Sequence, residues 1–145
     1  MPPRLADIAE QFQMVAPEDR LYLLLDYADA LPDLPERLAP LRDAGAGRVH
    51  ECATPVFLYP ELEQGRLRLH ADVPRESPTV RGLVGLLADA LGGEPAAAVA
   101  DVPDDLLRRL GIAEQLGMRR QQGFAGVLFH LKRRVAEAAE GPSAA

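Results

Sequence analysis

Apolar residues near the start of the chain recur at helical spacing. Leu5, Ile8, Ala9 and Phe12 fall at i, i+3, i+4 and i+7 and make one stripe on a short helix. A second helix is predicted directly afterwards: Pro17 suits a first helical position, and Glu18 and Asp19 suit the positive end of the helix dipole. Its buried face is read as Leu21, Leu24, Leu25, Ala28 and Leu31, and Pro32 and Pro35 stop it. From Pro32 to Gly47 the prolines, the Gly-Ala-Gly and the lack of a period predict an irregular connection.

Between Arg48 and Asp72 the pattern changes to a period of two. Along Arg66, Leu67, Arg68, Leu69, His70 and Ala71 apolar and charged residues alternate, as on a half-exposed strand. Gln64-Gly65 is the turn before it, Val56 to Tyr59 the preceding strand, and Gly47 to Glu51 a shorter first strand that places Cys52 at its end, ahead of the tight link Ala53-Thr54-Pro55. The expectation is a three-stranded antiparallel meander with one wet face, its other face covered by helices.

The second half supplies those helices. Ser77 and Pro78 open one whose stripe is Val80, Leu83, Val84, Leu87 and Leu91, ended by Gly92-Gly93. Shorter helical pieces begin at Pro95 and Pro103. A last helix is predicted from about Arg119 to Glu137, with Phe124, Val127, Leu128, Leu131 and Val135 inward and a frayed tail over residues 141–145. Consecutive strands flanked by helices make the class α+β, with one domain over residues 1–145.

Composition narrows the function. A chain of 145 residues, 48% hydrophobic and 26% charged, is long enough to bury about two-thirds of its unfolded surface in one core. No basic segment followed by an apolar core opens the sequence and no apolar run approaches the roughly 18 residues of a membrane span, so the expectation is a cytoplasmic protein without a membrane partner. The net charge of −6, with one short basic run at Lys132-Arg133-Arg134, argues against nucleic acid. A single cysteine excludes an internal disulfide, and no zinc-ligand spacing is present.

That cysteine carries the candidate chemistry. A free Cys is commonly a small buried hydrophobe. Cys52, however, stands in a link at a strand end, where reactive side chains are often presented. An inert Cys52 in a binding or regulatory module, and a reactive Cys52, are both compatible with its position.

The segment Val49-His50-Glu51-Cys52-Ala53-Thr54-Pro55-Val56-Phe57-Leu58 resembles the active-site stretch of SufE-type sulfur acceptors, in which Val-x-Gly-Cys-Gln-Ser precedes a Val-Trp-Leu-like strand. Further matches follow in family order: Pro17-Glu18-Asp19-Arg20 with the leucine-rich helix ending at Leu31-Pro32, Val80-Arg81-Gly82-Leu83, and Leu116 with Arg119-Arg120-Gln121-Gln122-Gly123. The resemblance runs from about Leu5 to Val135. It implies a SufE/IscU-like α+β fold and a persulfide carrier on Cys52. The implied partners are a SufS-type cysteine desulfurase, which the carrier stimulates, and an iron–sulfur cluster scaffold that receives the sulfur. No cofactor is implied in this chain, because the pyridoxal phosphate belongs to the desulfurase.

Two departures concern the thiol. The family's Gly before the cysteine is Glu51 here, and its Gln-Ser after it is Ala53-Thr54. A carboxylate beside the thiol is expected to raise the cysteine pKa, and His50, on the same strand face if the pleat continues, to offset this when protonated. His50 reads equally as a solvated strand residue. Arg119 and Arg120 oppose the dipole of the last helix, and by the resemblance Arg120 matches a family arginine suited to an anionic persulfide or a partner carboxylate. Both also read as solvated arginines. Ser77, Gly82 and Arg81 are assigned to capping, close packing and solvation. A cysteine hydrolase would need His50, His70 or His130 turned toward Cys52, and an iron–sulfur scaffold would need several thiolates.

Overall fold

The computed structural model describes residues 1–141, so the tail expected over residues 141–145 lies, from Pro142 onward, outside the described residues. Helix α1, Pro3–Met14, buries Leu5, Ile8, Ala9 and Phe12, the stripe its spacing predicts. A 3-10 turn over Pro17–Asp19 leads into α2, Arg20–Ala30, which buries Leu24 and Ala28 with Leu31 just beyond it. Leu25 is instead 41% exposed. A run of leucines satisfies several candidate faces, and only the partner helix decides which one is covered.

The stretch expected to be irregular contains a 3-10 turn, Glu36–Leu38, and a short helix, α3, Ala39–Asp43. Five residues are too few to display a 3.6-residue period. Two strands follow, β1, Phe57–Glu63, and β2, Arg66–Asp72, antiparallel from Phe57 opposite Asp72 to Glu63 opposite Arg66. Gln64 and Gly65 both take positive φ, 53° and 79°, as a two-residue hairpin turn requires. Pro60 lies within β1, which an edge position permits because proline has no N–H to give a further strand.

The expected third strand is absent among the described residues. Between Gly47 and Glu51 there is a single bridge, Arg48 to Phe57, with Leu58 N–H donating to Gly47 O at 3.0 Å and Val49 N–H to Val56 O at 2.8 Å. The chain leaves the sheet because Cys52 N–H turns back to Val49 O at 3.3 Å, closing a turn where a strand would have continued. Cys52 therefore belongs to a turn and not to a strand end.

Helix α4, Pro78–Leu91, lies along β2 and crosses α2 closely. Gly82 faces the Leu24 carbonyl and Gly85 the Tyr27 carbonyl with no room for a Cβ, which explains both glycines by close packing. Ser77 occupies the N-cap position, but its carbonyl, accepting from Arg81 N–H at 2.9 Å, makes the bond while its hydroxyl makes no cap bond. Arg81 is not solvated. It is 4% exposed and donates to the carbonyls of Ala28, Leu31 and Val73 at 2.7–2.9 Å, placing its charge at the negative end of α2. Short helices α5, Ala96–Ala100, and α6, Leu106–Arg109, precede the helical run α7, Ala113–Glu140, which packs along β1. Gly117, at φ 79° and ψ 164°, breaks that run, so its long part starts just before Arg119, as the apolar pattern predicts. The result is an α+β architecture of seven α-helices and a two-stranded antiparallel sheet among the described residues. No helix among the described residues is long and apolar enough to cross a membrane.

Candidate functional site

The turn carrying Cys52 is built between two fixed ends. On its approach Gly47 takes φ 83° with the Tyr59 ring packed where a Cβ would stand, and the Tyr59 hydroxyl donates to Ala46 O at 2.6 Å. Arg134 of α7 donates to the carbonyls of Gly47 at 2.9 Å, Leu58 at 3.1 Å and Arg48 at 3.3 Å. On its far side the chain rejoins β1 through the Val49–Val56 bond. Val49 and Val56 are fully buried beneath it.

Two glycines of α7 let this turn lie directly on the helix. A Cβ at Gly123 would stand 3.2 Å from the Cys52 sulfur, and one at Gly126 would stand 2.6 Å from Glu51 Cβ. Cys52 is 8% exposed and packs with the main hydrophobic core. Cys52 lines a cavity of about 120 Å³, walled by Val80, Leu83 and Val84 of α4 and Phe124 and Val127 of α7, with Thr54 on the turn. Arg119 and Arg120 also line it. Both are exposed and stand in the first turn after the Gly117 break, so two cationic residues at the positive end of a helix border the cavity that Cys52 lines.

Burial pushes the Cys52 thiol above its ordinary pKa; the Thr54 backbone N–H and the charge of Arg48 act in the opposite direction. The carboxylate of Glu51 turns away, toward α7, where His130 Nε2 lies 2.8 Å from Oε2 and 3.0 Å from Oε1. Its own backbone N–H and then His130 hold the Glu51 carboxyl below the usual carboxylate range. The upward push on the thiol thus comes from desolvation and not from the neighbouring carboxylate. His50 is exposed at the turn, which is not a pleated strand, and its influence falls on Glu51.

The structure therefore brings Cys52, Arg119 and Arg120 to one cavity and leaves His50 in solvent. Glu51 is paired with His130 of α7. His70 lies 3.2 Å from Glu61 on the hairpin, so two of the three histidines pair with glutamates rather than facing the thiol as a hydrolase requires. Among the described residues no three His, Cys, Asp or Glu side chains are placed to hold a metal ion. The contributions of Arg48, Arg134, Gly126 and His130 were not legible from the segment around the cysteine. The signal for two of them was the helix period itself, because Gly123, Gly126 and His130 stand at i, i+3 and i+7 on one face of α7.

Comparison with known proteins shows what the chain as a whole is similar to. The family model described as SufE, Fe–S metabolism associated domain, matches residues 6–135. An uncharacterized SufE-like protein of Mycobacterium tuberculosis is 38% identical over 139 residues, covering 95% of each chain. Another from Synechocystis is 29% identical over 131 residues, covering 88% of this chain and 77% of the relative. The solution structure of a hypothetical protein from Thermus thermophilus superposes with a TM-score of 0.82 at 36% identity, covering 95% of this chain and 97% of that one. The ordered motifs, the α+β fold and a family match across residues 6–135 converge on one assignment: the chain belongs to the SufE family, whose domain is associated with Fe–S metabolism.

Proposed function

We propose that this chain, as a single SufE-like domain in the cytoplasm, takes sulfur from a SufS-type cysteine desulfurase onto Cys52, thereby stimulating that enzyme, and passes it to an iron–sulfur cluster scaffold. The observation that carries the reading is the lone thiol on a tight turn, facing a small apolar cavity whose rim is two arginines at a helix start. The Cys52 thiolate attacks the outer sulfur of the donor's cysteine persulfide. The new S–S bond forms as the donor S–S bond breaks, and the donor cysteine leaves as a thiolate. The product, a Cys52 persulfide, is acidic and anionic, and Arg120 is the cation assigned to it. A second exchange of the same kind delivers the sulfur onward. The apolar walls keep water and stray thiols from the persulfide.

A second reading is favoured by one observation: a buried thiol with a raised pKa is what an inert structural cysteine looks like. In that reading the chain is a binding or regulatory module. Incubation with desulfurase and cysteine, followed by intact-mass spectrometry, separates the two. The carrier gains one sulfur atom on Cys52, and Cys52→Ser gains none while melting near the parent temperature. No adduct on the parent, with Cys52→Ser still stimulating the desulfurase fully, would assign the chain to the second reading.

A further inference from the structure

A thiol that is 8% exposed must move before it can meet a sulfur donor. What holds it in is therefore part of its chemistry. The stretch from Gly47 to Cys52 is received by one line of α7 residues. Arg134 holds the carbonyls of Gly47 and Arg48, Gly123 lies against Cys52, and Gly126 lies against Glu51. The glycine contacts are steric and carry no side chain of their own, and Arg134 fastens only the approach to the turn. The side-chain link at the apex is Glu51 to His130, with the ring's Nε2–H shared between the two carboxylate oxygens at 2.8 and 3.0 Å.

We infer that His130 is a positioning residue for Cys52: through Glu51 it latches the turn onto α7, and the frequency with which this link opens sets how often the thiol leaves its cavity. The pair is suited to that task. Glu51 is 46% exposed and His130 20%, so the link is a partly hydrated one that opens at small cost, whereas the Arg134 bonds at the base of the turn stay made. It also accounts for the carboxylate standing where the family pattern has glycine. Backbone freedom before the cysteine is given up, and a releasable side-chain contact takes its place. Gly126 is required for this, since a Cβ there would collide with Glu51 Cβ.

The inference rests on the reading of Cys52 as a sulfur acceptor for its purpose, but its test uses the free protein alone. Iodoacetamide alkylation of Cys52 is followed by mass spectrometry at about pH 7.5, below the ordinary thiol pKa, each rate being divided by the thiolate fraction from that variant's own pH profile. Hydrogen exchange of residues 49–56 is measured in parallel. His130→Leu and Glu51→Ala should each raise the corrected rate and the exchange about two- to five-fold, as expected for a partly exposed pair. His130→Gln, which keeps a donor, should stay close to the parent. The Glu51→Ala/His130→Leu double variant should be no faster than either single one. Glu51→Ala stands in if the leucine variant misfolds. Rates equal to the parent in both single variants, or effects that add in the double variant, would overturn the latch. Because no desulfurase is present, a failure here is distinct from a failure of sulfur transfer.

Discussion

Arg119 and Arg120 stand side by side on an exposed helix start, yet both line the cavity that Cys52 also lines. A cation in the first turn of a helix opposes the dipole at a cost of a few tenths of a kcal/mol, so two of them together ask for an anion nearby. Removing the guanidinium that contacts an anionic persulfide should forfeit a charge-assisted hydrogen bond, worth about 1.5–3 kcal/mol where it forms. Arg120→Ala is thus expected to slow sulfur acceptance roughly tenfold or more, and Arg119→Ala by less than about threefold, in single-turnover transfer from the desulfurase. Equal, negligible effects would make the pair ordinary surface arginines. Cys52 and Arg120 were readable from the sequence because the motif fixes their place. The direction of Glu51 was not. It depends on Gly126 and His130, which lie far along the chain and become neighbours only once α7 packs on the turn.

At the scale of elements, the crossing of α2 and α4 is set by two glycines whose missing Cβ atoms leave room for the Leu24 and Tyr27 carbonyls. Gly82→Ala would gain up to about 1 kcal/mol of helix propensity. It would also drive a methyl group into backbone that cannot rotate aside, and overpacking of this sort costs about 1–3 kcal/mol. A net loss of stability is expected in thermal or urea unfolding, with the helices separating slightly. A Gly82→Ala variant as stable as the parent would contradict the close approach. Long amphipathic elements were legible. α1 and α4 show their stripes, and the alternation from Arg66 to Ala71 with Gln64-Gly65 before it gives the turn and β2 almost to the residue, whereas β1 runs on to Glu63, beyond the Tyr59 end expected for it. What escaped was short or context-dependent. Helix α3 has only five residues, and the Gly47 to Glu51 segment has strand-like composition but is bent away by a turn closing at Cys52. Arg81 looked like a surface residue because nothing in its own segment reveals the end of α2 above it.

For the molecule as a whole, the Cys52 thiol is a member of the hydrophobic core, so its ionisation is coupled to folding. Burial is the largest influence on Cys52 and raises its pKa above that of the unfolded chain. The native state then keeps a proton that the unfolded state releases. This contribution to stability is complete below the ordinary thiol range, about 8.5, and is lost as pH climbs from there through the raised native value. Melting temperatures from about pH 7 to 10 should therefore fall more steeply for the parent than for Cys52→Ser, the two curves diverging only above about pH 8. Parallel curves over the whole range would show that the thiol is not desolvated at rest.

Arg20, Arg81 and Arg134 direct their donors to backbone carbonyls: Phe12, Val15 and Gly111 for the first, the end of α2 for the second, and the approach to the Cys52 turn for the third. Charge–dipole bonds of this short-range, partly buried kind are weakly affected by dissolved electrolyte, which acts mainly on charges exposed to solvent. The frame of the molecule is accordingly insensitive to ionic strength, while exposed ion pairs such as Arg4–Asp89 and Arg75–Asp33 weaken as electrolyte is added, so salt strips the surface of its charge contacts before it reaches the fastenings beneath the Cys52 turn.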